Sequence, residues 1–114
     1  MITDGDKLLK NIADATEHYA QAVANEMSVE DGRTAVKMAA VQAIMAGGDN
    51  PMTNKPHSFS SAEAIVNTDS YYSDYLAKLR EAVSNRILAR GRYESALLEA
   101  QLVSAKFSLV SGAH

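Results

Sequence analysis

Gly47-Gly48-Asp49-Asn50-Pro51-Met52-Thr53-Asn54-Lys55-Pro56-His57-Ser58-Phe59-Ser60 holds both prolines of the 114-residue chain and divides it near its middle. Glycine and proline are the residues least compatible with a helix interior, and Asp, Asn and Ser favour caps and turns. Residues 47–60 therefore read as a connecting loop. On either side the chain is rich in Ala, Leu, Glu, Lys and Arg, which lose least on becoming helical. The pattern predicts an all-α fold: an antiparallel two-helix hairpin, with 1–114 as a single domain. Its long helices fall at about 4–46 and 69–108 and a short one at about 61–66. Two such helices enclose little interior, so a surface for a partner is expected rather than a buried catalytic pocket.

Upstream of the loop, Thr3 or Asp4 is placed to cap the first helix, with Asp4 and Asp6 near its positive end. Leu8, Ile12, Ala15, Tyr19, Val23 and Met27, then Met38, Val41 and Met45, recur in steps of three and four, apart from one gap. Gly32 and the start signal Ser28-Val29-Glu30-Asp31 leave open whether this helix breaks near 28–32. Downstream, Ser60-Ser61-Ala62-Glu63 has the capping-box pattern and Thr68-Asp69 offers a second cap. The expected stripe of the long second helix is Tyr72, Leu76, Leu79, Val83, Ile87, Arg90, Tyr93, Leu97 and Gln101, with a frayed tail at Ser111-Gly112-Ala113-His114.

Composition narrows the function. The apolar fraction of 46% argues for a folded chain, but Ala and Met dominate it and Trp is absent, so each helix offers a thin stripe. Self-association is the expected remedy. Absence of cysteine removes disulfides, thiolate metal sites and cysteine nucleophiles. The N-terminus lacks a secretion pattern and no run of about 18 apolar residues occurs; a cytoplasmic protein without a membrane span is expected. A net charge of -3 disfavours binding of nucleic acid by bulk positive charge.

Charge is unevenly divided. Lys78, Arg80, Arg86, Arg90 and Arg92 cluster on the second helix, whereas Asp4 to Asp31 carries seven acids and two lysines. Opposing the helices with Leu8 near Ser108 sets Glu26 against Arg90 and Glu30 against Arg86. Those four residues are the expected structural ion pairs, fixing register more than adding net stability. Glu26 and Glu30 share a face, yet di-metal helical sites also need Glu-x-x-His, which the chain lacks, so no metal or other cofactor is expected. If Arg86 and Arg90 pair internally, Lys78, Arg80 and Arg92 are the candidate nucleic-acid contacts. Tyr71, Tyr72 and Tyr75, with Met38 and Met45, form the candidate partner surface, their alternative role being to close the end of the core. Gly47-Gly48 is not followed by Gly-Lys-Ser/Thr, which rules out a nucleotide-phosphate loop. No histidine stands in a recognisable catalytic context, and an enzyme is the least favoured class.

The chain resembles a group of small helical-hairpin proteins encoded by phages and prophages, mostly of unassigned function. The resemblance rests on Tyr19-Ala20-x-Ala22 with Glu26, on Lys55-x-x-Ser58 and on Ala62-Glu63-Ala64. Asp69-x-x-Tyr72-x-x-Tyr75-Leu76, Leu79-x-x-Ala82 and Tyr93-Glu94-x-Ala96 complete it, over roughly residues 15–100. It implies a helical hairpin and a role beside phage DNA recombination or replication, and it transfers no catalytic residues. The expected function is that of a non-enzymatic accessory protein acting on itself and on an unidentified protein partner. Single-strand nucleic-acid binding is one alternative. Inhibition of a host nuclease or defence complex by the acidic first helix (Asp4, Asp6, Asp14 and Glu17) is another.

Overall fold

A computed structural model describes residues 4–112. Helix α1 spans Asp4–Asp31, α2 Arg33–Ala46, α3 Phe59–Ile65 and α4 Ser70–Gly112, with one 3-10 turn at Val66–Thr68. Two two-residue strands, β1 Asp49–Asn50 and β2 Lys55–Pro56, pair antiparallel inside the connection, Asp49 opposite Pro56 and Asn50 opposite Lys55. The protein is all-α apart from this clasp. Thr3 and Ala113-His114, named above as cap and tail, lie outside the described residues; Ser111 and Gly112 are still helical.

The first predicted long helix is two helices. At Gly32 (φ -80, ψ -8) the amide donates to the carbonyl of Val29 at 3.2 Å, a three-residue closure, and α2 starts at the next residue. The short helix begins earlier than its capping-box pattern suggests. Ser58 is extended (φ -71, ψ 166), and its Oγ accepts the Ser61 amide at 3.2 Å. Ser58, not Ser60, is therefore the cap. Ser61 is instead drawn into the loop: its Oγ accepts from Asn50 Nδ2 at 3.2 Å and lies 2.6 Å from His57 Nδ1. Asp69 caps α4 as expected, its Oδ1 accepting the Tyr72 amide at 3.0 Å.

Contacts gather into two units, one of residues 26–82 and the other of residues 1–25 with 83–114. In the 26–82 unit, Ala40, Val41, Ala62, Val66 and Tyr72 form a buried cluster, with Val36, Ile44, Tyr75 and Leu76 packed around it. Small residues at Ala40 and Ala62 let α2 and α3 approach closely. Met38 and Met45, predicted on the buried stripe with Val41, are instead 42% and 37% exposed.

In the other unit, Tyr19 and Tyr93 meet with ring centroids 5.8 Å apart and planes tilted by 40°. Leu8 and Ile12 border an apolar groove with Ala100, Val103, Ser104 and Phe107, while Asn11, Asp14, Ala15 and His18 share a second groove with Arg92, Ala96 and Glu99. Within this unit the segments therefore run antiparallel, about one helical turn away from the register that set Leu8 beside Ser108.

The buried line of α4 also differs from the expected stripe. Tyr72, Tyr75, Leu79, Ala82, Arg86, Ala89, Tyr93, Ala96 and Ala100 are the buried or half-buried positions, in alternating steps of three and four. Val83, Leu76 and Leu97 flank this line half-buried, whereas Ile87, Arg90 and Gln101 are exposed. On α1 the corresponding line is Leu8, Ile12, Ala15, Tyr19, Ala22, Glu26 and Val29; Val23 is also half-buried, but Met27 is 61% exposed. Both lines keep a seven-residue repeat, the signature of coiled-coil packing.

Candidate functional site

The α1–α2 junction brings a polar cluster onto the 26–82 unit. Because α2 begins at Arg33, its guanidinium stands one short turn from Glu30, and Nη1 donates to Glu30 Oε1 at 3.3 Å. Arg33 is also hydrogen-bonded to Tyr72; that bond first, and Glu30 second, push its already high pKa further up. Tyr72 itself is 3% exposed and stacks on Tyr75, with centroids 6.3 Å apart and planes 15° apart. The Tyr75 hydroxyl donates to the Val29 carbonyl. Burial, followed by the negative charge of Glu30, pushes the Tyr75 phenol up, while Arg33 pulls it down.

Beside this cluster is a groove of about 440 Å³ lined by Arg33, Thr34, Lys37, Met38, Val41, Phe59, Glu63 and Tyr72. Its base is apolar, being Val41 and the ring of Tyr72. Met38 and Phe59 stand on its sides, 42% and 48% exposed, and Lys37 Nζ lies 3.8 Å from Glu63 Oε1 across it. A contact that loose between half-exposed groups contributes little to stability and is readily exchanged for a partner's charge. Chemically the groove is suited to holding an apolar side chain between charged rims.

The sequence-derived candidates distribute as follows. Glu30 is bonded by Arg33, and Arg90 by Glu94 at 3.0 Å, so both take partners from their own sequence neighbourhood. Glu26 and Arg86 are half-buried, each at a position of its helix's buried line. Lys78 and Arg80 are exposed and, two residues apart on a continuous helix, face away from each other; Arg92 borders the groove with Asp14 and His18. Of the acids of the first helix, Asp14 accepts from Lys10 at 3.0 Å and Glu17 from Gln21 at 3.4 Å. Of the partner-surface residues, Tyr72 and Tyr75 belong to the core and its edge, Tyr71 and Met45 are 60% and 37% exposed, and Met38 and Tyr72 line the groove.

Sequence reasoning passed over Arg33, Lys37, Phe59 and Glu63. Glu30 and Gly32 beside Arg33 were a local signal, but Phe59 reaches the groove only through the fold of α3. Among the described residues no group of three or more His, Asp or Glu side chains is placed to hold a metal ion, and no helix is long and apolar enough to cross a membrane. Comparison with protein-family models, with curated proteins and with solved structures gives no match.

Proposed function

We propose that this chain is a non-enzymatic accessory protein of the phage and prophage type, acting by protein–protein contact in DNA recombination or replication. In this reading it is an antiparallel hairpin that completes its apolar contacts by oligomerising and works in the host cytoplasm. The observation that carries the interaction reading is the groove of the 26–82 unit, where Met38 and Phe59 stand half-exposed over an apolar base between Arg33, Lys37 and Glu63. Methionine and aromatic side chains in a charged rim are frequent anchors of protein interfaces. The partner that fits is a segment presenting apolar side chains flanked by carboxylates, which can displace Glu63 from Lys37.

The test is affinity capture from cells carrying the native gene neighbourhood, comparing the wild-type chain with Met38→Glu and Phe59→Glu. A stoichiometric protein partner lost on both substitutions is expected. Salt-dependent binding of a single-stranded oligonucleotide, abolished by changing Lys78, Arg80 and Arg92 to Glu, would replace this reading with the nucleic-acid one.

A further inference from the structure

Opposite its buried line, α4 carries a second apolar line with the same repeat. Leu88, Leu98, Leu102 and Leu109 are each more than half exposed, and Gly91, Ser95 and Ala105 occupy the positions between them. The run 88-91-95-98-102-105-109 alternates steps of three and four, so it keeps to one side of the helix for about three heptads. We propose that this face binds the same face of a second copy of the chain, with the two α4 helices antiparallel about a two-fold axis between Ala96 and Leu97. The inference rests on the self-association in the reading above and specifies its surface, partner orientation and register.

Volume is the first argument. With that axis, Leu88 faces the partner's Ala105, Leu98 the partner's Ser95 and Leu102 the partner's Gly91. Every one of these layers sets a leucine against a small residue, which is how facing positions interdigitate without voids or overlap. Gly91 is open on this side, since a Cβ built there would meet nothing within 4 Å. A leucine from the other copy can therefore approach the backbone.

Charge is the second argument and is independent of the first. Arg92 and Glu99 lie along one flank of the line, and among the described residues neither has an ion-pair partner. In the proposed register Arg92 faces the partner's Glu99, and the two-fold axis repeats the pair. Sliding by one heptad sets Glu99 against the partner's Glu99, or Arg92 against the partner's Arg92. A parallel arrangement brings Glu94 beside the partner's Glu99 and stacks Gly91 on the partner's Gly91. Flanking charges choose register and orientation in coiled coils in this manner.

Sedimentation equilibrium of the full chain tests the proposal, with circular dichroism to confirm unchanged helicity. The wild type is expected at the mass of two subunits. Gly91→Leu, which the open monomer surface accommodates, is expected to sediment as one subunit. Arg92→Glu and Glu99→Arg are each expected to weaken the dimer about tenfold, and the double reversal to restore it. A monomeric wild type would overturn the self-association reading together with this one. A dimer indifferent to Gly91→Leu, or single reversals that the double change fails to rescue, would overturn this face and register alone.

Discussion

The hydroxyl of Tyr75 in α4 donates to the carbonyl of Val29, the carbonyl that also receives the Gly32 amide where α1 gives way to α2. One backbone oxygen thus takes both the local closure that interrupts the first helix and a side chain arriving from 46 residues along the chain. Helix ends leave carbonyls without a partner in the helix. Tyr75 meets that demand and ties α4 to the junction.

Tyr75→Phe keeps the ring that stacks on Tyr72 and removes only this bond, so it is expected to lower stability at neutral pH by about 1 kcal/mol. The alkaline limb gives a second readout. Burial and Glu30 raise the Tyr75 pKa above its ordinary value of 10.0, so the folded state holds the phenolic proton more tightly than the unfolded chain. Its contribution is complete below pH 10, and it is lost as pH rises through the raised folded value. Denaturant melts from pH 7 upward are expected to fall more steeply above pH 10 in the wild type than in Tyr75→Phe; equal slopes would show that Tyr75 does not titrate in the fold.

Gly32, just before α2, and Gly48, two residues beyond its end, respond to alanine in opposite directions. Gly32 has right-handed angles, and a Cβ there would stand 3.6 Å from the Val29 oxygen, an ordinary contact. Gly32→Ala is expected to stabilise by about 0.4–1 kcal/mol through the unfolded chain. Gly48 has φ +149, which an L side chain rarely adopts, and Gly48→Ala is expected to destabilise by about 1–2 kcal/mol. Paired thermal melts give both signs in one experiment.

The cap of α3 is decided by a pair of serines. Because the Ser58 hydroxyl accepts the Ser61 amide, Ser58→Ala is expected to cost about 1 kcal/mol. Ser60→Ala, inside the helix and exposed, is expected to be neutral within about 0.5 kcal/mol. A larger loss at Ser60 would return the cap to the position that the capping-box pattern suggests.

Helix content and the cap of α4 at Asp69 were legible in the sequence, because each depends on local chemistry; the break at Gly32 was left open, and the two short strands and the start of α3 at Phe59 were not foreseen. The buried line of α4 was not. Hydropathy points to Leu76, Val83, Ile87 and Leu97, whereas the structure buries Ala82 and Ala89, leaves Leu76, Val83 and Leu97 half-buried beside Ala96 and Ala100, and exposes Ile87. Alanine occurs on every face of these helices, so its seven-residue spacing is faint beside scattered leucines. The groove was hidden for a related reason. Arg33 and Phe59 are far apart in sequence, and only the packing of α3 on α2 brings them together.

That difference can be tested on two residues of one helix turn. Ile87 is 57% exposed and Ala89 is 8% exposed. If hydropathy alone set the packing, truncating Ile87 would open a cavity and cost several kcal/mol, while enlarging Ala89 would be harmless. The structure reverses the expectation. Ile87→Ala removes a side chain already largely in water and slightly improves helix propensity, so its effect is expected to stay within about 0.5 kcal/mol. Ala89→Leu adds three carbons to a position already 8% exposed and is expected to cost about 1–3 kcal/mol. Urea melts of both variants, at concentrations low enough that self-association does not contribute, provide the measurement. A stable Ala89→Leu with a destabilised Ile87→Ala would move the buried line of α4 back to its large apolar residues.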